Sequence, residues 1–238
     1  MNSLYKFFRV IIFVFLFSLF TCQFTSAQGV ITRPTKQTPQ KVIPKVQVSK
    51  PDGYINSHGY VDLGLPSGLK WATSNIGASS PFDYGNYYAW GEIVTKSDYS
   101  ENTCITYGKK MEDINGNPNY DAASSNWGGT WRLPTQAELQ ELIDQCVWTW
   151  IQRNNYNGYL ITGTNGNSIF FPASGSRVPS RKDVSNLGKY CRYWSSTPGK
   201  VSNIAAALSL EKYSFNDGPY EVLFHDVFYG YNIRPVSP

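Results

Sequence analysis

The sequence predicts a loop-rich α+β domain with short antiparallel strands and at least one amphipathic helix. Two observations support this class: the apolar runs are short and bounded by turn residues, and one segment carries a strong helix pattern. The 238-residue chain contains 20 Gly, 14 Pro, 7 Trp and 17 Tyr. Each aromatic side chain buries a large area, so a few of them can hold a loop-rich domain together. We therefore expect the tryptophans to pack in the core.

The helix pattern covers residues 135–146. Thr135 and Glu138 have the spacing of a capping box, in which each side chain accepts a hydrogen bond from the other residue's backbone N–H. Pro134, just before the cap, disfavours helical backbone at the preceding residue. Apolar residues then recur at i, i+3, i+4 and i+7, which is one face of a helix; they are Leu139, Leu142, Ile143 and Cys146.

The strand signals are short and separated by Gly and Asn turns. Segments 158–162 and 168–171 predict a β-hairpin, because a Gly/Asn-rich turn joins two apolar runs. The other candidate strands are 147–151, 205–210, 221–224 and 230–236. The spacing shows no repeat of 20–50 residues, which argues against a solenoid or a propeller.

Residues 1–27 have the pattern of a signal peptide. Lys6 and Arg9 precede an apolar run over 10–20, and small residues at 25–27 suit cleavage before Gln28. The run is shorter than the roughly 20 residues of a transmembrane helix, and no later segment is long and apolar enough to span a membrane. We expect an exported protein, at the outer surface, extracellular or in the periplasm. A lipoprotein attached through Cys22 is the less favoured alternative, because 19–21 fits its processing box poorly.

Residues 28–52 predict a disordered, proline-rich basic tether, followed by one domain over 53–238. Pro34, Pro39, Pro44 and Pro51 interrupt any regular element there. Seven of the 21 basic residues and one of the 17 acidic residues lie in 1–52, which leaves 14 and 16 in the domain, a net charge of −2. A nucleic-acid-binding domain would concentrate its basic residues instead, so we expect no nucleic-acid partner. An alternative role for the tether is attraction to an anionic surface.

Three cysteines follow the predicted signal peptide, which is an odd number for an oxidising compartment. One disulfide and one free thiol is the simplest arrangement, and we favour the pair Cys104–Cys146. Cys146 also lies on the apolar face of the helix, where it would serve equally well as a small buried side chain.

Four ordered motifs carry a resemblance that spans 53–238. The segment 126–139, N-W-G-G-T-W-R-L-P-T-Q-A-E-L, resembles the core signature of the Fibrobacter succinogenes major paralogous domain, a module of secreted Bacteroidetes proteins. Similar motifs occur at 61–78 with 83–92, at 193–197 and at 229–236. The resemblance implies a C-type-lectin-like fold, related to that of the formylglycine-generating enzyme, which is used mainly for display and binding. It also implies structural hydrogen-bonding roles for Arg132 and Arg234.

Catalytic and metal-binding patterns are weak, so we expect a protein that is not an enzyme and has no cofactor. The two histidines are His58 and His225, and no nucleophile elbow G-x-S-x-G supports a triad of His225 and Asp226 with a serine. The sequence has no H-E-x-x-H, paired C-x-x-C or EF-hand motif. Calcium bound by the Asn-Gly-Asn turns at 115–117 and 165–167 stays an unsupported option.

The segment between the last two motifs is the predicted ligand surface. The resemblance implies that this segment faces the ligand, and its Tyr, Asn and Asp content is typical of binding loops. The candidate ligand-binding residues are Tyr213, Phe215, Asn216, Asp217, Tyr220, His225, Asp226 and Tyr229, and the same segment holds Lys200 and Asn203. Ordinary surface turns are the competing interpretation.

The predicted function is therefore that of an exported, surface-associated binding module whose ligand is a carbohydrate or a protein. Two alternatives are an oxidase similar to the formylglycine-generating enzyme and a structural subunit of a cell-surface assembly. The two histidines and scattered cysteines match neither the cysteine pair nor the histidine-rich iron site of the enzymes with this fold.

Overall fold

The computed structural model describes residues 47–211 and 221–238. The predicted signal peptide, Cys22 and most of the predicted tether lie outside the described residues. The strands are β1 Gly53–Ile55, β2 His58–Asp62, β3 Lys70–Ala72, β4 Val147–Arg153, β5 Tyr156–Thr162, β6 Ser168–Pro172, β7 Tyr190–Pro198, β8 Ile204–Glu211, β9 Glu221–Asp226 and β10 Val236–Ser237. The helices are α1 Ala122–Trp127 and α2 Gln136–Gln145, with a 3₁₀ turn at Glu101–Thr103.

The strands form three small antiparallel sheets. Their orders are β1-β2-β3-β10, β4-β5-β6 and β7-β8-β9. Long irregular segments connect them, above all the stretch between β3 and α1. The described residues therefore form a loop-rich fold of short antiparallel strands with two helices, and the predicted class is confirmed at that level.

The predicted helix is present with its predicted cap. The Thr135 hydroxyl accepts from the Glu138 N–H at 3.2 Å, and the Thr135 N–H donates to the Glu138 carboxylate at 2.8 Å. Arg132 adds two hydrogen bonds to the same carboxylate, at 2.7 and 2.8 Å. Leu139 and Leu142 are buried, as the periodicity predicts. The helix ends at Gln145, and Cys146 forms its C-cap.

The predicted hairpin corresponds to β5 and β6, which pair from Thr162–Ser168 to Gly158–Pro172. The candidate strands at 147–151, 205–210 and 221–224 correspond to β4, β8 and β9, each slightly longer than predicted. Within 230–236 the regular strand is restricted to β10, and isolated bridges fix the rest. The β1–β2 hairpin, β3, β7 and α1 were not predicted.

Two hydrophobic clusters form the core. One gathers the long loop, α1 and part of the β7-β8-β9 sheet around Trp90, Trp131 and Trp194. The other lies between α2 and the sheets around Trp71 and Trp148. Six tryptophans are buried and Trp150 is half-buried, in agreement with the expected packing role.

The predicted Cys104–Cys146 disulfide is not formed, and this expectation is corrected. Cys104, Cys146 and Cys191 are free thiols in the structure. Cys104 is buried in the first hydrophobic cluster, whereas Cys146 packs at the edge of the second. The two side chains therefore belong to different hydrophobic clusters.

The last residues of the predicted tether contact the domain. The Ser168 N–H donates to the Ser49 hydroxyl at 2.8 Å, and the Ser168 hydroxyl donates to the Gln47 carbonyl at 2.9 Å. The chain is thus fixed to β6 before β1 begins. Across residues 47–211 and 221–238, no helix combines the length and apolar character needed to cross a membrane.

Candidate functional site

The predicted ligand residues fall into two groups. Five of them lie outside the described residues, in the connection from β8 to β9; they are Tyr213, Phe215, Asn216, Asp217 and Tyr220. His225 and Asp226 end β9, and Tyr229 follows in the next turn. Burial, and then the charge of Asp226, raises the pKa of the Tyr229 hydroxyl. The Tyr229 N–H donates to the Asp226 carbonyl at 3.1 Å, so the two residues belong to the same turn.

His225 is half-buried and has two side-chain contacts. Its Nε2 lies 2.7 Å from the Ser209 hydroxyl, and its ring meets the Tyr231 ring edge-on with centroids 5.5 Å apart. Burial, and then the positive charge of Arg192, lowers the pKa of His225 from 6.5 to about 4. The neutral ring therefore serves the packing of β9 against β8 in this structure. A ligand would have to displace the bond to Ser209 to use it.

This low pKa has a consequence for stability. In the unfolded chain the imidazole binds its proton near pH 6.5, whereas in the folded protein it does so only near pH 4. Between these values the unfolded state carries more protons than the folded state. Above pH 6.5 the protonation of His225 therefore has little effect on the free energy of unfolding. As the pH falls from 6.5 towards 4, it lowers the free energy of unfolding.

A cavity of about 330 Å³ lies at the end of the β7-β8-β9 sheet where β7 leads into β8. Two loops form its walls: residues 106–111, which belong to the long segment before α1, and residues 198–204, the turn from β7 to β8. Trp90 and Val227 close its base. The volume is at the lower end of the range of about 300–1,000 Å³ that small-molecule sites occupy.

Local backbone geometry brings the two loops together. Asn203 adopts a left-handed conformation with φ of 75°, which Asn tolerates better than most residues. Its side-chain carbonyl accepts a hydrogen bond from the Gly108 N–H, and its backbone carbonyl accepts one from the Val227 N–H at 2.9 Å. At Gly199 a Cβ atom would lie 2.4 Å from the Ile204 side chain, so only glycine fits this close turn.

The base of the cavity has its polar atoms already paired. The indole N–H of Trp90 donates to the Ser195 carbonyl at 2.8 Å, and the Thr106 hydroxyl donates to the Trp90 carbonyl at 2.7 Å. Trp90 also pairs through its backbone N–H with the Val227 carbonyl at 2.8 Å. The base is therefore rigid and presents mainly apolar surface to a ligand.

The rim of the cavity is basic. Lys109, Lys110 and Lys200 are exposed and line it, and no Asp or Glu is among the lining residues. The ion pairs found among the described residues involve Lys96, Arg132 and Arg192, so none of them neutralises these three lysines. The arrangement combines a hydrophobic base with unpaired positive charge at its edge, which suits binding of a small ligand.

Part of the cavity comes from the segment in which the sequence predicted a ligand surface, although none of the eight predicted ligand residues lines it. Lys200 and Asn203 belong to the segment between the last two motifs, where the ligand surface was expected. Lys109, Lys110 and Met111 were missed, because they come from the long loop about 90 residues earlier. The signal available in the sequence was the pair of consecutive lysines after Gly108, which could have indicated a basic binding loop.

The side-chain amides of the two Asn-Gly-Asn turns are engaged in hydrogen bonds within the protein. Asn115 donates to the Leu133 carbonyl at 2.9 Å, and the side chain of Asn117 accepts from a nearby backbone N–H at 3.1 Å. Asn165 and Asn167 both donate to the Asp62 carbonyl, at 3.0 and 2.9 Å. Within the part of the chain that the structure describes, no group of three or more His, Cys, Asp or Glu side chains gathers as metal ligands.

Comparison of the chain with protein-family models, curated proteins and solved structures finds no match. The candidate site is defined by two loops joined through Asn203, an apolar base and three exposed lysines that form no ion pair among the described residues.

Proposed function

We propose that the protein is an exported, surface-associated binding module that holds a carbohydrate or protein ligand at the cavity between loops 106–111 and 198–204. The observation that carries this proposal is the cavity itself, because its walls are loops while its base is a rigid part of the core. Binding sites are commonly built in this way, with variable loops mounted on a fixed scaffold.

The resemblance to the Fibrobacter succinogenes major paralogous domain supports the same proposal. The motif residues Trp90, Trp131, Trp194 and Arg234 are buried and hydrogen-bonded, which is the behaviour expected of a structural frame. Loops 106–111 and 198–204 lie outside the quoted motifs. A C-type-lectin-like architecture is part of the proposal, since such folds display ligand sites on loops.

The contacts of the candidate catalytic side chains favour binding over oxidase chemistry. His58 stacks on Trp127 with ring centroids 3.8 Å apart, and His225 is bonded to Ser209. Burial raises the pKa of Cys146 to about 11, which makes its thiolate scarce at neutral pH. These groups thus have structural partners and are not poised for chemistry.

The proposal is tested by screening the exported chain against a glycan array and against proteins of the cell surface. Ser202→Trp places a bulky ring in the cavity wall at an exposed position, and Ser125→Trp, on an exposed face of α1, is the matched control. We expect Ser202→Trp to abolish the binding that wild type and Ser125→Trp share. Wild-type retention of no ligand in either screen, or unimpaired binding by Ser202→Trp, would reject the proposed site.

The predicted residues Tyr213 and Tyr220 supply a second arm of the same experiment. If the β8–β9 connection contributes to the ligand surface, Tyr213→Ala and Tyr220→Ala weaken the same binding. If they leave binding intact while Ser202→Trp abolishes it, the ligand surface is restricted to the cavity. A stable complex that copurifies from the cell envelope and is unaffected by every variant would favour a structural subunit instead.

A further inference from the structure

We infer that the cavity selects a sugar residue that carries a negative charge, a carboxylate or a sulfate, over its neutral counterpart. This inference rests on the proposed binding function and adds the chemical class of the ligand. Lys109, Lys110 and Lys200 come from two separate loops and converge on one cavity. Each ammonium group offers three donors and a positive charge, which a carboxylate or sulfate complements.

No Asp or Glu side chain lines the cavity, and among the described residues no ion pair involves its three lysines, although Asp226 directly precedes the lining residue Val227. Glu112 and Asp113 follow the 106–111 loop directly, yet neither lines the cavity. The Asp113 carboxylate is already occupied: it accepts from the Asn115 N–H at 2.9 Å and from the Thr197 hydroxyl at 3.0 Å. An anion in the cavity would therefore meet the lysines without a competing carboxylate in the lining.

The attraction is local and does not come from the charge of the whole domain. Residues 53–238 contain 14 basic and 16 acidic side chains, a net charge of −2. Such a domain repels anions weakly at long range, so a ligand must reach the three lysines themselves to gain a favourable interaction. This separates a specific site from general basicity.

Size and polarity favour a sugar over a protein surface. A stable protein interface covers about 800 Å² on each partner and uses several exposed apolar residues. Around this cavity the large apolar side chain that stands out to solvent is Val201, at 63% exposure. A volume of about 330 Å³ instead suits a terminal sugar residue, whose hydroxyls can bond to Ser202 and Asn203 while its C–H face rests on the apolar base.

The test uses an array of paired glycans in which each neutral sugar has a carboxylated and a sulfated counterpart of the same ring structure. The variant Lys109→Gln/Lys110→Gln/Lys200→Gln removes the charge at the rim. The matched control Arg181→Gln/Lys182→Gln/Lys189→Gln removes the same charge from exposed positions away from the cavity. The control reproduces any effect of net charge alone.

We expect wild type and the control to bind acidic members of the pairs at least about tenfold more tightly than neutral ones, and the rim variant to lose this preference. Raising the salt concentration from 50 to 500 mM should weaken acidic binding of the wild type. Equal affinity for the carboxylated and sulfated glycans would show that the site recognises negative charge alone. A difference between the two affinities would identify the preferred acidic group. Either result supports the inference.

Three results would overturn it. They are equal binding of neutral and acidic partners, an unchanged preference in the rim variant, and the absence of glycan binding together with retention of an acidic protein. In each of these cases the binding function itself would survive if Ser202→Trp still abolished the interaction. If the wild type bound no glycan and no protein, the proposed binding function itself would be rejected.

Discussion

Arg234 is the side chain whose replacement tests the described frame most sharply. Its guanidinium is 1% exposed and donates hydrogen bonds to the Asn75 side-chain oxygen at 2.9 Å, the Ala72 carbonyl at 3.0 Å and the Phe170 carbonyl at 2.8 Å. It also lies over the Phe171 ring, 4.7 Å from its centroid. Burial lowers its pKa to about 10, so it stays charged at neutral pH.

No carboxylate balances this cation within the described residues, since the ion pairs there involve other side chains. The hydrogen bonds and the aromatic ring must therefore compensate for its desolvation. Removing the guanidinium leaves three buried acceptors without a donor, at about 1–3 kcal/mol each. Partial relaxation and entry of water reduce that total, so we expect Arg234→Met to cost about 3–5 kcal/mol of unfolding free energy.

Arg234→Lys is the more informative variant, because it keeps the charge but cannot match three acceptors held around a planar guanidinium. We expect it to cost about 2 kcal/mol or more, measured by urea unfolding at pH 7 followed by tryptophan fluorescence. The exposed Arg181→Lys serves as the control and should change stability by less than about 0.5 kcal/mol. If Arg234→Lys were as stable as the wild type, the three hydrogen bonds of the Arg234 guanidinium would not have the stabilising role assigned to them.

The remaining predictions concern pH, capping and the cysteines. His225→Gln, which can keep a bond to Ser209, should be less stable than wild type at pH 7, and the gap should shrink by about 1 kcal/mol at pH 5, measured by urea unfolding; a gap that stays constant contradicts the assigned pKa. Thr135→Ala should lower the unfolding free energy by about 1 kcal/mol, with Thr95→Ala at an exposed loop position as a comparison. Alkylation of the unreduced, unfolded protein should modify Cys104, Cys146 and Cys191, as mass spectrometry reports; a Cys104–Cys146 bridge would leave two of them unmodified.

The sequence predicted correctly those helices and strands that are determined by interactions between residues close together in the chain. The α2 cap could be read from Thr135 and Glu138, because a capping box needs only residues three apart. The β5–β6 hairpin was predicted because a Gly-rich turn separates two apolar runs. Helix α1 was missed, since its six residues are too few to show periodicity, although Asp121 caps it by accepting from two backbone N–H groups.

The candidate site depends on contacts that sequence patterns do not contain. The cavity forms because Asn203 binds the Gly108 N–H, a contact between residues 95 positions apart. In the sequence, Lys109 and Lys110 resemble an ordinary solvated pair. The hydrogen bond between Asn203 and Gly108 brings them to the same cavity as Lys200. His225 was predicted as a ligand residue from the composition of its segment, but its neutral, bonded ring became evident only when β9 was paired with β8.

The most direct measurement is a backbone NMR titration of ¹⁵N-labelled protein with the methyl glycosides of glucuronic acid and of glucose, which differ in the charged group at C6. We expect the glucuronide to shift the amide signals of Gly108, Lys109 and the 199–203 turn at concentrations where the glucoside leaves them unchanged. Shifts of equal size with both sugars, or shifts confined to regions remote from these two loops, would contradict it.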